Sequence, residues 1–277
     1  MDHISATGTA VRRAAERLRE AARLSRPCSP VRELIGPSDL DAAYAVQEAV
    51  VRERVAGGRR VVGHKIGLTS PAVQSQFGVF QPDFGVLLDD MAYADGEEIP
   101  LDRLLQPRVE AEVAFVLGRD VEYGATVAEI LRATEFVLPA IEIVDSRIAG
   151  WDITITDTVA DNASSGAFVL GTTPRRVQDV DLTGLGMVLE HGGEPASTGV
   201  GAACLGSPAV AATWLARELA RRGSPLRAGE VVLSGALGPM VQVTHPGVYR
   251  ARMDGLGEVS AVFADPDPAP GTEGNHQ

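Results

Sequence analysis

Two glutamates stand in the string Arg108-Val109-Glu110-Ala111-Glu112-Val113-Ala114-Phe115-Val116. Residues two apart on a strand share a face, so Glu110 and Glu112 project together, about 7 Å apart along the chain. Val109, Ala111, Val113 and Phe115 take the opposite face. Alone, this spacing reads more often as a half-buried strand with a solvated acidic side than as a site. Glu142 shifts the balance, because it sits between Ile141 and Ile143 in Pro139-Ala140-Ile141-Glu142-Ile143-Val144-Asp145. A carboxylate in so apolar a run is costly unless it is paired or bound to metal. Three such groups on neighbouring strands would repel one another, and a divalent cation removes that repulsion. Carboxylate oxygens and water suit Mg²⁺ or Mn²⁺, whereas zinc would draw His or Cys.

A lysine is the next candidate. The chain carries 25 basic residues, 24 of them arginine, and Lys65 is its single lysine. Chance in an arginine-rich composition is one explanation. A need to move a proton is the other, since a guanidinium stays charged where a partly buried ammonium can be tuned. Lys65 lies in Gly63-His64-Lys65-Ile66-Gly67-Leu68-Thr69-Ser70, whose glycines permit close approach to a ligand. His64 reads as a solvent-exposed neighbour. Asp83, in Gln81-Pro82-Asp83-Phe84-Gly85, reads from its place after a proline as no more than a turn residue. The segment from Asp157 to Gly166, DTVADNASSG, is either a plain loop or a set of donors for a substrate carboxylate.

The elements that must position these groups are readable in outline. Helical spacing of apolar residues predicts a helix over 9–25 and another over 39–56, with Ser38 as N-cap and Gly57 and Gly58 as terminators. Strands are predicted at Val61–Ile66, Val109–Leu117, Phe136–Val144, Gly166–Leu170, Met187–Glu190, Glu230–Leu233 and Val259–Phe263. Further helices are predicted at Val127–Glu135 and at Ser207–Arg222, the latter capped by Ser207 and closed by Gly223. A long βαβ rhythm is missing, so the expected class is α+β with a mixed, rolled or barrel-like sheet. The predicted organisation is a helical segment over 1–60, a β-rich catalytic domain over 61–264 and a disordered tail over 265–277.

Composition narrows the functional classes. A chain of 277 residues with 45% hydrophobic content supports a sizeable core. Its net charge of −12 argues against a nucleic-acid partner. Cys28 and Cys204 form neither a disulfide framework nor a zinc spacing, which fits a reducing cytoplasm. No run of apolar residues is long enough to span a bilayer, so no membrane role is expected.

Taken in order, the strings GHKIGLTSPAVQ, QPDFG, RVEAEVAFVL, PAIEIVDSRI, DTVADNASSG and LSGALGPM resemble the 2-keto-4-pentenoate hydratase / 4-oxalocrotonate decarboxylase family. That family lies within the fumarylacetoacetate hydrolase-like superfamily. The resemblance runs from about Val61 to Phe263 and implies the fold of that superfamily's C-terminal domain. It implies a divalent metal, Mg²⁺ or Mn²⁺, on Glu110, Glu112 and Glu142, with catalytic roles for Lys65 and Asp83. Ser164, Ser165 and Leu68 fall where the substrate is expected, and the assembly is expected to be a homo-oligomer. The implied reaction adds water to a 2-hydroxy-2,4-dienoate. Decarboxylation of a 2-oxo-3-enedioate, hydrolysis of an acylpyruvate and a non-catalytic partner-subunit role are the alternatives. The string Ser234 to Met240 resembles the hydratase side, while Ser207 stands where a close hydratase is expected to carry histidine.

Overall fold

The computed structural model describes residues 2–70, 74 and 81–265. Three helices lead: α1 (Asp2–Arg23), the single-turn α2 (Arg32–Ile35) and α3 (Leu40–Ala56). The cap of α3 is Asp39 and not the predicted Ser38; its carboxylate accepts the Ala42 amide at 2.9 Å. A carboxylate one residue nearer the first turn meets those amides directly.

Thirteen strands follow among the described residues. They are β1 (Val61–Gly67), β2 (Asp83–Leu88), β3 (Ala92–Tyr93), β4 (Glu98–Pro100), β5 (Pro107–Leu117), β6 (Thr134–Asp145), β7 (Ser165–Leu170), β8 (Gly186–His191), β9 (Glu194–Val200), β10 (Val231–Leu233), β11 (Val241–Gln242), β12 (Gly247–Met253) and β13 (Gly257–Ala264). Three more α-helices with bounds among the described residues interrupt them: α4 (Val127–Ala133), α5 (Ile155–Ala160) and α6 (Pro208–Arg221). Ser207 occupies the N-cap position of α6 without a side-chain capping bond. Pro208 at the first helical position starts that helix instead.

The larger sheet runs β2-β1-β10-β5-β6-β7-β3, with β11 added beside β5. It curls into a half-barrel, so the fold is α+β with a mixed, rolled sheet. A second sheet, β4-β13-β12-β8-β9, shares a core with the side of β5 that carries Val109, Ala111, Val113 and Phe115. Tyr249, Phe263 and Leu189 meet them there, along with Leu215 and Leu219 of α6. The other face of the large sheet has an apolar floor of Leu87, Ala114, Leu138, Ala140, Phe168 and Leu233.

Helices α1 and α3 are joined to this framework through α5. Leu18, Ala43, Val46, Val159 and Ala160 form one core between them. The Gln47 side chain donates to the Phe84 and Val159 carbonyls at 2.9 and 3.0 Å, tying α3 to β2 and α5. The predicted tail lies almost wholly outside the described residues.

Candidate metal and acid–base site

Register brings the acidic residues together. Glu110 on β5 lies directly opposite Glu142 on β6, and Glu112 shares their face by alternation. One carboxylate oxygen from each of Glu110, Glu112 and Glu142 lies within 4.8 Å of the others. Glu112 and Glu142 are fully buried, while Glu110 is partly open to a cavity. Glu112 Oε2 accepts the Gly235 amide at 2.7 Å, whereas its Oε1 and Glu142 Oε2 have no hydrogen-bond partner. Buried, unpartnered carboxylate oxygens are rare without a cation to meet them. The donor set, oxygen only, fits a hard divalent ion.

Lys65 on β1 faces the same interior, with Nζ 3.0 Å from Glu142 Oε1, a charge contact whose angles fall outside hydrogen bonding. Burial alone would lower the lysine's pKa, but the charges of Glu142, Asp83, Glu110 and Glu112 win and raise it. Asp83, at the start of β2, pairs in register with Gly67 and is wholly buried. Gly67 is obligatory: a side chain there would collide with the Asp83 carboxylate. Burial pushes Asp83 up to about 6, against the opposing Lys65 charge. Burial, reinforced by Glu142, pushes Glu110 up to about 7 and Glu112 well above its ordinary value. Without a cation, this cluster therefore holds protons on its carboxyls near neutral pH.

A cavity of about 680 Å³ opens over these residues, within the usual ~300–1,000 Å³ range of small-molecule sites. Lys65, Leu68, Asp83, Glu110 and Ser164 all line it. Its remaining wall is largely apolar, with Val144, Trp151, Ile153, Leu237 and Met240. Seven described non-glycine residues have positive φ, and four of them, Leu68, Trp151, Ala163 and Ser164, line this cavity. Backbone strain of this kind persists where the surroundings over-determine it, commonly at functional sites.

The structure does not bring every expected residue here. Ser165 turns away: its hydroxyl donates to the Asn162 carbonyl at 2.8 Å, and it borders a separate cavity. Gly85 allows that approach, since a side chain on it would strike the Asn162 carbonyl and the Ser165 hydroxyl. His64 is buried and not solvent-exposed as the sequence implied. Alternation on β1 points it away from Lys65, towards Glu230, whose carboxylate is 3.8 Å from Nδ1. Burial holds it neutral, with a pKa of about 4. Asp157 is no substrate donor, because its carboxylate accepts from Arg32 and Thr154. Ser207 is absent from the cavity wall, to which Ala203 contributes from the same stretch. Sequence reasoning missed Arg108, Trp151 and Met240. For Arg108 a signal existed: it precedes Glu110 by two residues and so shares its face.

The chain matches the fumarylacetoacetate hydrolase C-terminal family over residues 63–264. It is 60% identical over 256 residues to the TodF product hydratase of Pseudomonas putida strain F1, covering 92% of this chain and 96% of that one. It is 53% identical over 251 residues to the 2-keto-4-pentenoate hydratase of Paraburkholderia xenovorans strain LB400, covering 90% and 93%. The 4-oxalocrotonate decarboxylase of Pseudomonas putida G7, complexed with magnesium and adipate, superposes with a TM-score of 0.88 at 34% identity, covering 92% and 97%. The chain therefore belongs to the fumarylacetoacetate hydrolase C-terminal family. Within that family it is an enzyme of the hydro-lyase class, a hydratase.

Proposed function

We propose that this hydratase acts on a small 2-hydroxy-2,4-dienoate and yields a 4-hydroxy-2-oxo acid, with a divalent cation, Mg²⁺ or Mn²⁺, on Glu110, Glu112 and Glu142. The observation that carries this reading is the convergence of three carboxylates within 4.8 Å beside Lys65 and Asp83. When bound, the cation supplies Lewis acidity toward the carboxylate and C2 oxygen of a 2-oxo acid. The chain's own groups move the protons. The dienol loses its enol proton and gains one at C5, giving an α,β-unsaturated 2-oxo acid. Water then places hydroxyl on C4 and a proton on C3. Lys65 and Asp83 carry these transfers, both buried on the cavity wall. Ser164 and Leu68 border the substrate. We further propose that the protein works as a homo-oligomer.

The decarboxylase reading keeps the same cluster and draws support from the 34%-identical structural neighbour. Product analysis by NMR separates them. Hydration of 2-hydroxypenta-2,4-dienoate, abolished by EDTA and restored by Mg²⁺ or Mn²⁺, is the expected outcome. Carbon dioxide release from a 2-oxo-3-enedioate with no hydration of the monoacid would replace the proposal.

A further inference from the structure

Arg108 is the second cation on the cavity wall, after Lys65. It lies on β5 two residues before Glu110, on the same face. Its guanidinium stacks on the Trp151 ring at 4.1 Å, and Nη1 reaches the Met240 sulfur at 3.3 Å. Its Nε is buried with no hydrogen-bond partner, and no carboxylate of the described residues forms an ion pair with it. Other buried or half-buried arginines are already paired: Arg147 is spent on Asp161 and the Ser165 carbonyl, and Arg32 on Asp152 and Asp157. A guanidinium held flat by an indole, short of acceptors and facing a cavity, is prepared for an anion of the ligand.

Depth decides which anion. Glu112, Asp83 and Lys65 are buried, Glu110 is partly open, and Trp151 and Met240 are partly exposed. Arg108 is thus the more exposed of the two cations on the wall, while Lys65 and Asp83 are buried. A substrate whose reacting carbons lie at Lys65 and Asp83 turns its C1 carboxylate outward. We propose that Arg108 is a binding residue for the C1 carboxylate of the substrate, a 2-oxo acid whose remaining tail is apolar. This rests on the proposed function. The apolar wall of Val144, Ile153 and Leu237 offers no second cation for a tail carboxylate.

The test is calorimetric titration of Mn²⁺-loaded protein with two unreactive probes, 2-oxopentanoate and 2-oxoadipate. Arg108→Met removes a charged hydrogen bond, so affinity for both acids should fall by the same factor, roughly 10–100-fold. Arg108→Lys should recover part of that loss. Affinity for Mn²⁺ alone should not weaken in either variant, because the glutamates remain. Loss confined to 2-oxoadipate would assign Arg108 to a second carboxylate and overturn the inference; unchanged affinity for both would also overturn it. Wild-type protein that binds neither acid would remove the proposed function, and the inference with it. Should Arg108→Met fail to fold, Arg108→Lys carries the same comparison.

Discussion

Lys65 and Glu142 touch although β10 and β5 lie between their strands. In a flat sheet three inter-strand steps separate Cα atoms by about 14 Å. The curl of the sheet closes that gap and turns both side chains inward. Lysine at this position holds its proton against four surrounding carboxylates. If it transfers that proton, Lys65→Arg keeps the charge and loses the chemistry, because guanidinium does not deprotonate at working pH. Turnover should fall on the order of 10²–10⁴-fold, as for Lys65→Ala, with metal content unchanged. Near-wild-type kcat in the arginine variant would leave Asp83 as the proton carrier. A second prediction concerns pH. A carboxyl raised in the folded state adds stability that is complete below its ordinary value and is lost as pH rises through the raised one. With Asp83 at about 6 and Glu110 at about 7, the cation-free protein should lose their contributions as pH rises from the ordinary carboxylate range, about 4, to about 7, that of Asp83 by about 6. His64 acts oppositely, since its folded value is lowered: its contribution is lost as pH falls from 6.5 towards about 4. Urea melts in EDTA between pH 5 and 8 give the net slope, in which His64 opposes the carboxyls below about 7. Glu110→Gln should flatten that slope, and a wild-type profile rising with pH would contradict the assignment.

At the scale of elements, α5 is the joint between the leading helices and the site. Asp157 within it is wholly buried. Its carboxylate accepts the Arg32 amide and guanidinium at 2.8 and 2.6 Å and closes a capping box with Thr154. Breaking a buried pair costs about 3–5 kcal/mol, and Arg32 keeps Asp152 and some solvent, so Asp157→Ala should cost roughly 2–3 kcal/mol. Equilibrium urea unfolding measures it, and a loss below about 0.5 kcal/mol, the range of an ordinary surface change, would show the tether to be idle. What the sequence disclosed at this scale follows its periodicity. Alternation on β5 and an acid inside the apolar β6 were enough to place Glu110, Glu112 and Glu142 on one face. Strand β2 was not recognised, because Pro82-Asp83 looks like a turn and Gly85 interrupts the pattern. In β12, Tyr249, Ala251 and Met253 point inward against outward Arg250 and Arg252, a usable alternation masked by its charges. Helix α5 is too short to show a period. The left-handed backbone at Asn162, Ala163 and Ser164 has no signature in residues of these types. Arg108 shares the face of Glu110, a signal easily lost among 24 arginines, and its proposed role depends on Trp151, 43 positions away.

For the whole molecule, the two sheets and the helical lead-in leave apolar residues outside. Leu24 is 51% exposed, Tyr123 80% and Val248 41%. Scattered exposure of this kind is ordinary in a monomer, so the oligomer proposal leans on the resemblance. Light scattering should report a mass well above the 29.1 kDa of one chain. A clean monomer at micromolar concentration would refute it. No helix among the described residues is long and apolar enough to cross a membrane.

The solitary lysine has a practical consequence. A protease that cuts only after lysine has a single target in this sequence, the Lys65–Ile66 bond. That bond lies in β1, laddered to β2 on one side and β10 on the other, so cleavage requires the strand to leave the sheet. The rate of appearance of one fragment ending at Lys65 therefore clocks local opening of the site itself, with no engineered label. Ligands that hold the half-barrel together should slow that clock, giving a measure of occupancy independent of turnover.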